Sequence, residues 1–298
     1  MTHRYFLTKR PNRAPERMPP GCRAALFGLT LMALIAVAAP ASAQLNKTLH
    51  TDGWILAAAH APGLEGSIWR TDLWVRFEGG SGAVTLTFCE TGEDNTGAEE
   101  FVFEAAPNNI YIEDVVDHFL NVGGGSWVGA IHYETNRNAQ VYARVYSISA
   151  DGSRSFGQLI EGIPTADMTL PIGDPGRTST KEDQWMFAAK HTSDGRFRVN
   201  VGAVNPTGVE GEFYFQIFDE TGNNPPNDVF YTETIPPYSM LQLGDPFADV
   251  NGGDWSMYTI RVEAATLGSG AFAYASVVDN ATNDAFFVRG VKFFEVTD

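Results

Sequence analysis

Several groups of side chains in this sequence are of types and spacings that could do chemistry. Arg70 and Asp72 stand two apart inside Ser67–Phe77, a stretch that alternates apolar and polar residues. On a strand that spacing puts a guanidinium and a carboxylate about 7 Å apart on one face. Such a pair either grips a polar ligand or clamps a loop. Arg198 and Asn200 return at the same spacing, and Asn200 can still hydrogen-bond, which favours the clamp. Trp127 and Trp255 each follow a glycine pair and precede a strand, as sugar platforms or as core plugs. Because both are shared by two halves of the chain, the core reading is preferred. Trp74 is opposite Gly202 in the second half and points outward, so it is the best candidate for a contact, with a ligand or with the sister repeat. Trp69 and Tyr146 are further aromatics that a sugar site would use.

Asp245, Asp249, Asn251 and Asp254 gather in one Gly-rich loop whose start is calcium-like. No Glu closes the coordination shell, and the first half lacks these acids. The histidines His50, His60, His118, His132 and His191 show no H-x-x-x-H or H-E-x-x-H spacing, so zinc is not expected. No G-x-S-x-G, phosphate-binding or dinucleotide motif is present. The expectation is no catalytic residue, no cofactor and no metal.

The elements that must position these residues are strands. Trp69, Thr71, Leu73, Val75 and Phe77 alternate with Ile68, Arg70, Asp72, Trp74 and Arg76, the period of a half-buried strand. The pattern recurs at Phe197–Ala203. Trp54–His60 is matched by Trp185–His191, 131 positions on, and Glu90-Thr91-Gly92 by Glu220-Thr221-Gly222. Glu113–Leu120 fits a short helix. With 30 Gly and 16 Pro, turns outnumber any long helix. Short strands between turn signals specify an all-β chain, two tandem immunoglobulin-like β-sandwich domains after a signal peptide. The expected divisions are a signal peptide over 1–43, a leader over 44–53, repeat 1 over 54–165, a linker over 166–183 and repeat 2 over 184–298. One continuous double-sheet domain is the alternative.

Residues 24–39 are an apolar run behind basic residues, and Pro40-Ala41-Ser42-Ala43 follows. This is the layout of a secretory signal cut after Ala43, and the run is short for a membrane span of about 20 residues. Translation could start at Met18. Cleavage removes Cys22 and leaves Cys89, so no intramolecular disulfide is expected. Net charge is -16, and without the first 43 residues 14 basic residues face 35 acidic ones. Such a chain repels nucleic acid and anionic lipid.

Ala58–His60, Trp69–Trp74, Leu86–Phe88 and Tyr274–Asp284 carry a resemblance. In this order they resemble secreted bacterial proteins, of no assigned activity, built from tandem immunoglobulin-like sandwich repeats. The resemblance covers nearly all of the chain after the signal peptide and implies fold and export. The functional expectation is an exported, non-enzymatic surface or periplasmic module for adhesion, assembly or ligand display. Its partner is an unknown protein or glycan, with no nucleic acid and no membrane insertion after cleavage. The alternative is a carbohydrate-binding or carbohydrate-active protein.

Overall fold

The computed structural model describes residues 49–63, 66–104, 108–120, 125–177, 183–218, 230–246, 255–282 and 284–293. The expected signal peptide, Met18, Cys22, the Glu220–Gly222 turn and residues 249, 251 and 254 of the acidic loop lie outside these. The strands of the first half are β1 (His50–Pro62), β2 (Ile68–Phe77), β3 (Ala83–Glu90), β4 (Glu100–Glu104), β5 (Asn109–Ile112), β6 (Trp127–Ile148), β7 (Ser155–Glu161) and β8 (Ile163–Pro164). A short helix, α1 (Val115–Leu120), precedes β6. The second half holds β9 (Asp183–His191), β10 (Phe197–Asn205), β11 (Gly211–Phe218), β12 (Phe230–Ile235), β13 (Ser239–Gly244), β14 (Trp255–Ala264), β15 (Phe272–Asp279), β16 (Ala285–Arg289) and β17 (Val291–Phe293). The first strand opens at His50, inside the expected leader. No helix of the described residues is long and apolar enough to cross a membrane.

The chain is all-β, and its pairings are antiparallel. In the first half, β6 pairs β3 and β1 with its leading part (Trp127–Thr135). Its trailing part (Ala139–Ile148) pairs β2 and β7. One strand therefore serves two layers, β4-β3-β6-β1-β8 and β5-β2-β6-β7. In the second half the layers are separate sheets, β12-β11-β14-β9-β17 and β13-β10-β15-β16. Strand for strand these are the same two layers. The duplication read from Trp54–His60 and Trp185–His191 thus extends to topology.

The expected break between the Tyr133 and Val141 strands is absent in the first half. Asn136, Arg137 and Asn138 turn the corner exposed but still extended. At the equivalent place the second half has Gly268 in the left-handed region (φ 84°), which only glycine adopts freely, and the strand ends. Between the layers of the first half lie Ile55, Leu73, Val75, Phe77, Leu86, Ile131 and Val141, all buried. Their counterparts in the second half include Met186, Val201, Phe213, Phe215, Ile260 and Val262.

A third buried cluster joins the halves. Trp54, Leu56, Cys89 and Ala130 on the outer face of the β1/β3/β6 layer meet Val204, Met240, Phe272 and Tyr274 on the outer face of the β10/β13/β15 layer. Tyr274 lies across Gly202, where any Cβ would overlap its ring. Phe287 stacks on it at 5.1 Å between centroids. Polar bonds border the seam. Asn95 Nδ2 donates to Tyr238 O at 3.0 Å, and Ser239 Oγ donates to Glu90 O at 2.9 Å. Ser276 Oγ donates to Gln158 Oε1 at 3.0 Å. Residues Thr48 to Asp298 make one compact unit. Within the expected linker, Thr169 and Ala271 exchange backbone bonds, and Arg177 reaches Leu170 O at 2.6 Å.

The acid that opens each repeat is tied across its layer to a basic side chain. Asp52 Oδ1 lies 2.8 Å from His132 Nε2, and Asp183 Oδ2 accepts from Arg261 Nε at 2.7 Å. The His132 bond, with help from the Thr165 hydroxyl, holds the Asp52 carboxyl below its ordinary value despite desolvation. That stabilisation is present above the unfolded value and fades as pH falls through the lower folded one. Asp52→Asn should lower the melting temperature at pH 7 and match the parent near pH ~2, in scans at both values. Trp54→Ala removes the largest side chain of the seam and should cost about 3–5 kcal/mol in urea unfolding. Burial pushes the Cys89 thiol up to about 12. A thiol reagent should therefore spare Cys89 in the parent and label it faster in Trp54→Ala, with Cys89→Ser as the blank.

Candidate functional site

The outer face of the β5-β2-β6-β7 layer is the counterpart of the seam face of the second half. Here it is open. The inward set of β2 is fixed by the core, so Arg70, Asp72, Trp74 and Arg76 must point out. The register places Tyr111 on one side of Trp74 and Tyr142 on the other. Trp74 is 37% and Tyr111 54% exposed, with ring centroids 5.2 Å apart and 30° between planes. Arg76 faces Asn109 and Gln140 in the next row. Gln140 Nε2 donates to Tyr142 Oη at 2.6 Å. The result is a row of three aromatic rings edged by arginine and amide groups, on a strand-built surface rather than a loop.

Behind this row Asp72 is buried and well satisfied. It accepts from the backbone N–H of Asp114 at 3.0 Å, from Tyr146 Oη at 3.1 Å and from Tyr111 Oη at 3.2 Å. Burial, then the Asp72 charge, raises both phenols, Tyr146 to about 12, so both remain proton donors to the carboxylate. Arg144 covers the Tyr146 ring, its Cζ 4.5 Å from the centroid. Tyr146 is thus buried under Arg144 and is not the exposed aromatic expected of it.

Asp114 is held in the left-handed region, φ 45°, at the turn from β5 into α1. Its Oδ2 lies 2.9 Å from His60 Nδ1 and 3.4 Å from Arg70 Nε. Desolvation raises its carboxyl above the ordinary value against those two neighbours. Arg70 and Asp72 therefore both reach the β5–α1 turn. The second half repeats the pair without the aromatic row. Asp245, φ 42°, places Oδ1 3.2 Å from His191 Nδ1. One carboxylate of the calcium-like loop is thus engaged by a histidine. His60 and Asp114 are 54 residues apart, and no local motif joins them. The signal available was the repetition of Ala-Ala-x-His at one offset and of Asp114 and Asp245 at the same offset.

His60, Asp114 and Asp117 each offer one atom within 4.8 Å of the others, a spacing that could hold a metal ion. The Arg70 guanidinium beside Asp114 opposes a cation there, and His60 Nδ1 already faces the carboxylate. The arrangement reads as an ion clamp on the turn.

The other singled-out residues are dispersed. Trp127 is partly buried against the first core. Trp255 begins β14, and its side chain is outside the description. Asn200 lies on β10 opposite Gly244 and Ser276. Trp74 lies outside the buried cluster that joins the halves. The sister repeat is held by the Trp54 face instead. Trp69 and Arg198 line a cleft of about 900 Å³ between the halves, with Phe156, Gln158, Arg154 and Asp151. Arg198 donates from Nη1 to Asn280 Oδ1. Asp151 is the one carboxylate among the described lining residues. The paired acids of glycoside hydrolysis are not assembled there.

Removing the Asp72 carboxylate leaves three donors without their acceptor. Asp72→Ala should cost about 2–4 kcal/mol in denaturant unfolding, while Asp72→Asn, which keeps one acceptor oxygen, should cost less.

No protein-family model matches the chain, and no curated protein matches it. Among solved structures, the lectin of Pleurotus ostreatus in its apo form aligns over 84% of each chain at 10% identity, with a TM-score of 0.19.

Proposed function

We propose that the chain is an exported, non-enzymatic module that presents the Trp74 face to a partner, for adhesion or assembly. One observation carries this reading. The face that the second half buries in the seam is open in the first half and has a different surface. Where the second half has Val204, Met240 and Phe272, the first has Arg76, Asn109 and Gln140. Where it has Gly202 and Gln242, the first has Trp74 and Tyr111. Polar residues suit solvent, but a tryptophan and a tyrosine, each more than a third exposed, do not come from solvation alone. Trp, Tyr and Arg are the side chains that anchor interfaces.

Export is supported by the basic residues ahead of the apolar run at 24–39 and by the small residues before Gln44. Amino-terminal sequencing of the secreted protein should begin at Gln44. The immunoglobulin likeness is limited to β2, β3, β5 and the leading part of β6, which pair as strands B, C, E and F do. The strand β1 takes the place beside β6 that G would take, and trailing β6 the place beside β2 that A would take. The membership in secreted tandem-sandwich proteins of bacteria remains part of this proposal.

The second reading, carbohydrate binding, is favoured by the Trp74–Tyr111 pair, since sugar rings stack on such faces and Arg76, Asn109 and Gln140 stand ready to bond hydroxyls. A glycan array with the parent and with Trp74→Ala tests it. A sugar that binds the parent should lose about tenfold or more in affinity with the variant. Equal binding by both proteins would move the site off this face. Binding by neither would leave the protein partner.

A further inference from the structure

The seam within the chain is a joint between two unlike faces. One is the outer face of the β1/β3/β6 layer, carrying Trp54, Leu56 and Cys89. The other is the outer face of the β10/β13/β15 layer, carrying Val204, Phe272 and Tyr274. Because the chain is a duplication, each half owns one face of each kind. The seam uses one of each, and one of each remains. The first remaining face is the Trp74 row. The second is the outer face of the β9/β11/β14 layer, where Trp185, Phe187 and Phe218 occupy the places of Trp54, Leu56 and Cys89.

We infer that a second copy of this chain is the partner of the Trp74 face: the two copies join head to tail, the Trp74 face of one seated on the Trp185 face of the next. This rests on the reading of the chain as an assembly module. Four observations support it. The same two kinds of face already join inside the chain, so the proposed contact continues an established interface. Both remaining faces carry exposed apolar surface, Trp74 and Tyr111 on one, Phe187 at 43% and Val291 at 40% on the other. Both are rich in aromatic rings, and the Trp74 face adds Arg70, Arg76 and Arg144, as at interface centres. Their charges differ. On the Trp74 face Arg70, Arg76 and Arg144 are balanced by Asp72, Asp114 and Glu161, whereas on the other Asp183, Glu212 and Glu263 outnumber Arg261. In a chain this acidic, a face whose charges balance is where a second copy can approach with least repulsion.

The replacement of Val204, Met240 and Phe272 by Arg76, Asn109 and Gln140 sets the strength of the joint. The internal seam is apolar and permanent. The external one is more polar, as reversible interfaces are. Since the two faces are unlike, the contact is heterologous, and repetition gives a ring or an open row rather than a closed pair.

The test is sedimentation velocity on the purified protein from about 1 to 300 µM, a range that brackets reversible association. The parent should gain average mass with concentration, less steeply at high salt. Trp74→Glu and Phe187→Glu, each folded by circular dichroism and thermal melt, should both stay single. An equimolar mixture of the two should form a species of two chains and no larger, because one intact face of each kind remains between them. A parent that stays single throughout overturns the inference. So does a Phe187→Glu protein that associates like the parent, or a mixture that stays single. Tyr111→Glu and Val291→Glu, at exposed positions of the same two faces, replace any variant that does not fold. A glycan bound at Trp74 by a protein that never self-associates would refute this inference and leave the presented face standing.

Discussion

The constraint on which the structure depends is that a duplicated sandwich has two kinds of outer face and one seam. Each half buries its own interior between its layers. What makes the halves one body is the burial of Trp54 and Leu56 against Phe272 and Tyr274. A tryptophan in such a contact contributes roughly 2–3 kcal/mol from removal of apolar area alone. The polar bonds of Asn95, Ser239 and Gln158 then set the register of the two halves. Much that distinguishes the halves follows from which side of this seam a position falls on. Gly202 is glycine because Tyr274 must lie flat against the strand under its neighbour. The equivalent position faces solvent in the first half, and there Trp74 is admitted.

Much of the architecture was legible in the sequence. The alternation of Trp69–Phe77 gave the inward and outward sets of β2, because a strand buried on one face leaves its core on every second residue. The repeat was legible because Trp54–His60 and Trp185–His191 preserve both residue type and spacing. The fusion of two expected strands into β6 was not, since nothing local forces a break or forbids one at Asn136–Asn138. Tyr146 shows a different limit. It shares a face with Trp74, yet Arg144 covers one and not the other, and the choice lies in cross-strand neighbours. The His60–Asp114 pair lies further out of reach, because it joins residues from β1 and a turn that only the folded sheet brings together.

The turn from β5 into α1 shows how the duplicated parts are retained. Asp114 and Asp245 both sit in a left-handed conformation that costs a non-glycine residue about 1 kcal/mol, and both are held there by a histidine of the first strand of the repeat. The first half adds Arg70, Asp72, Tyr111 and Tyr146 to the same turn. The exposed aromatic row therefore stands on a rigid support, with Tyr111 serving in both the clamp and the row. The residue that presents its ring to solvent is oriented by its own hydroxyl.

The single strand β6 gives the two halves different mechanics. In the first half, sliding one layer over the other would bend a continuous backbone and strain the ladders on both sides of the corner. In the second half the layers are joined at the same corner by the Gly268 loop, and what ties them elsewhere is the step through Gly290 from β16 to β17 and the bond from Asn205 Nδ2 to Ile235 O. The chain thus couples a stiff half to a more compliant one. A load arriving at the aromatic row would pass through covalent strand into the seam, and the strain would be taken up in the half beyond it.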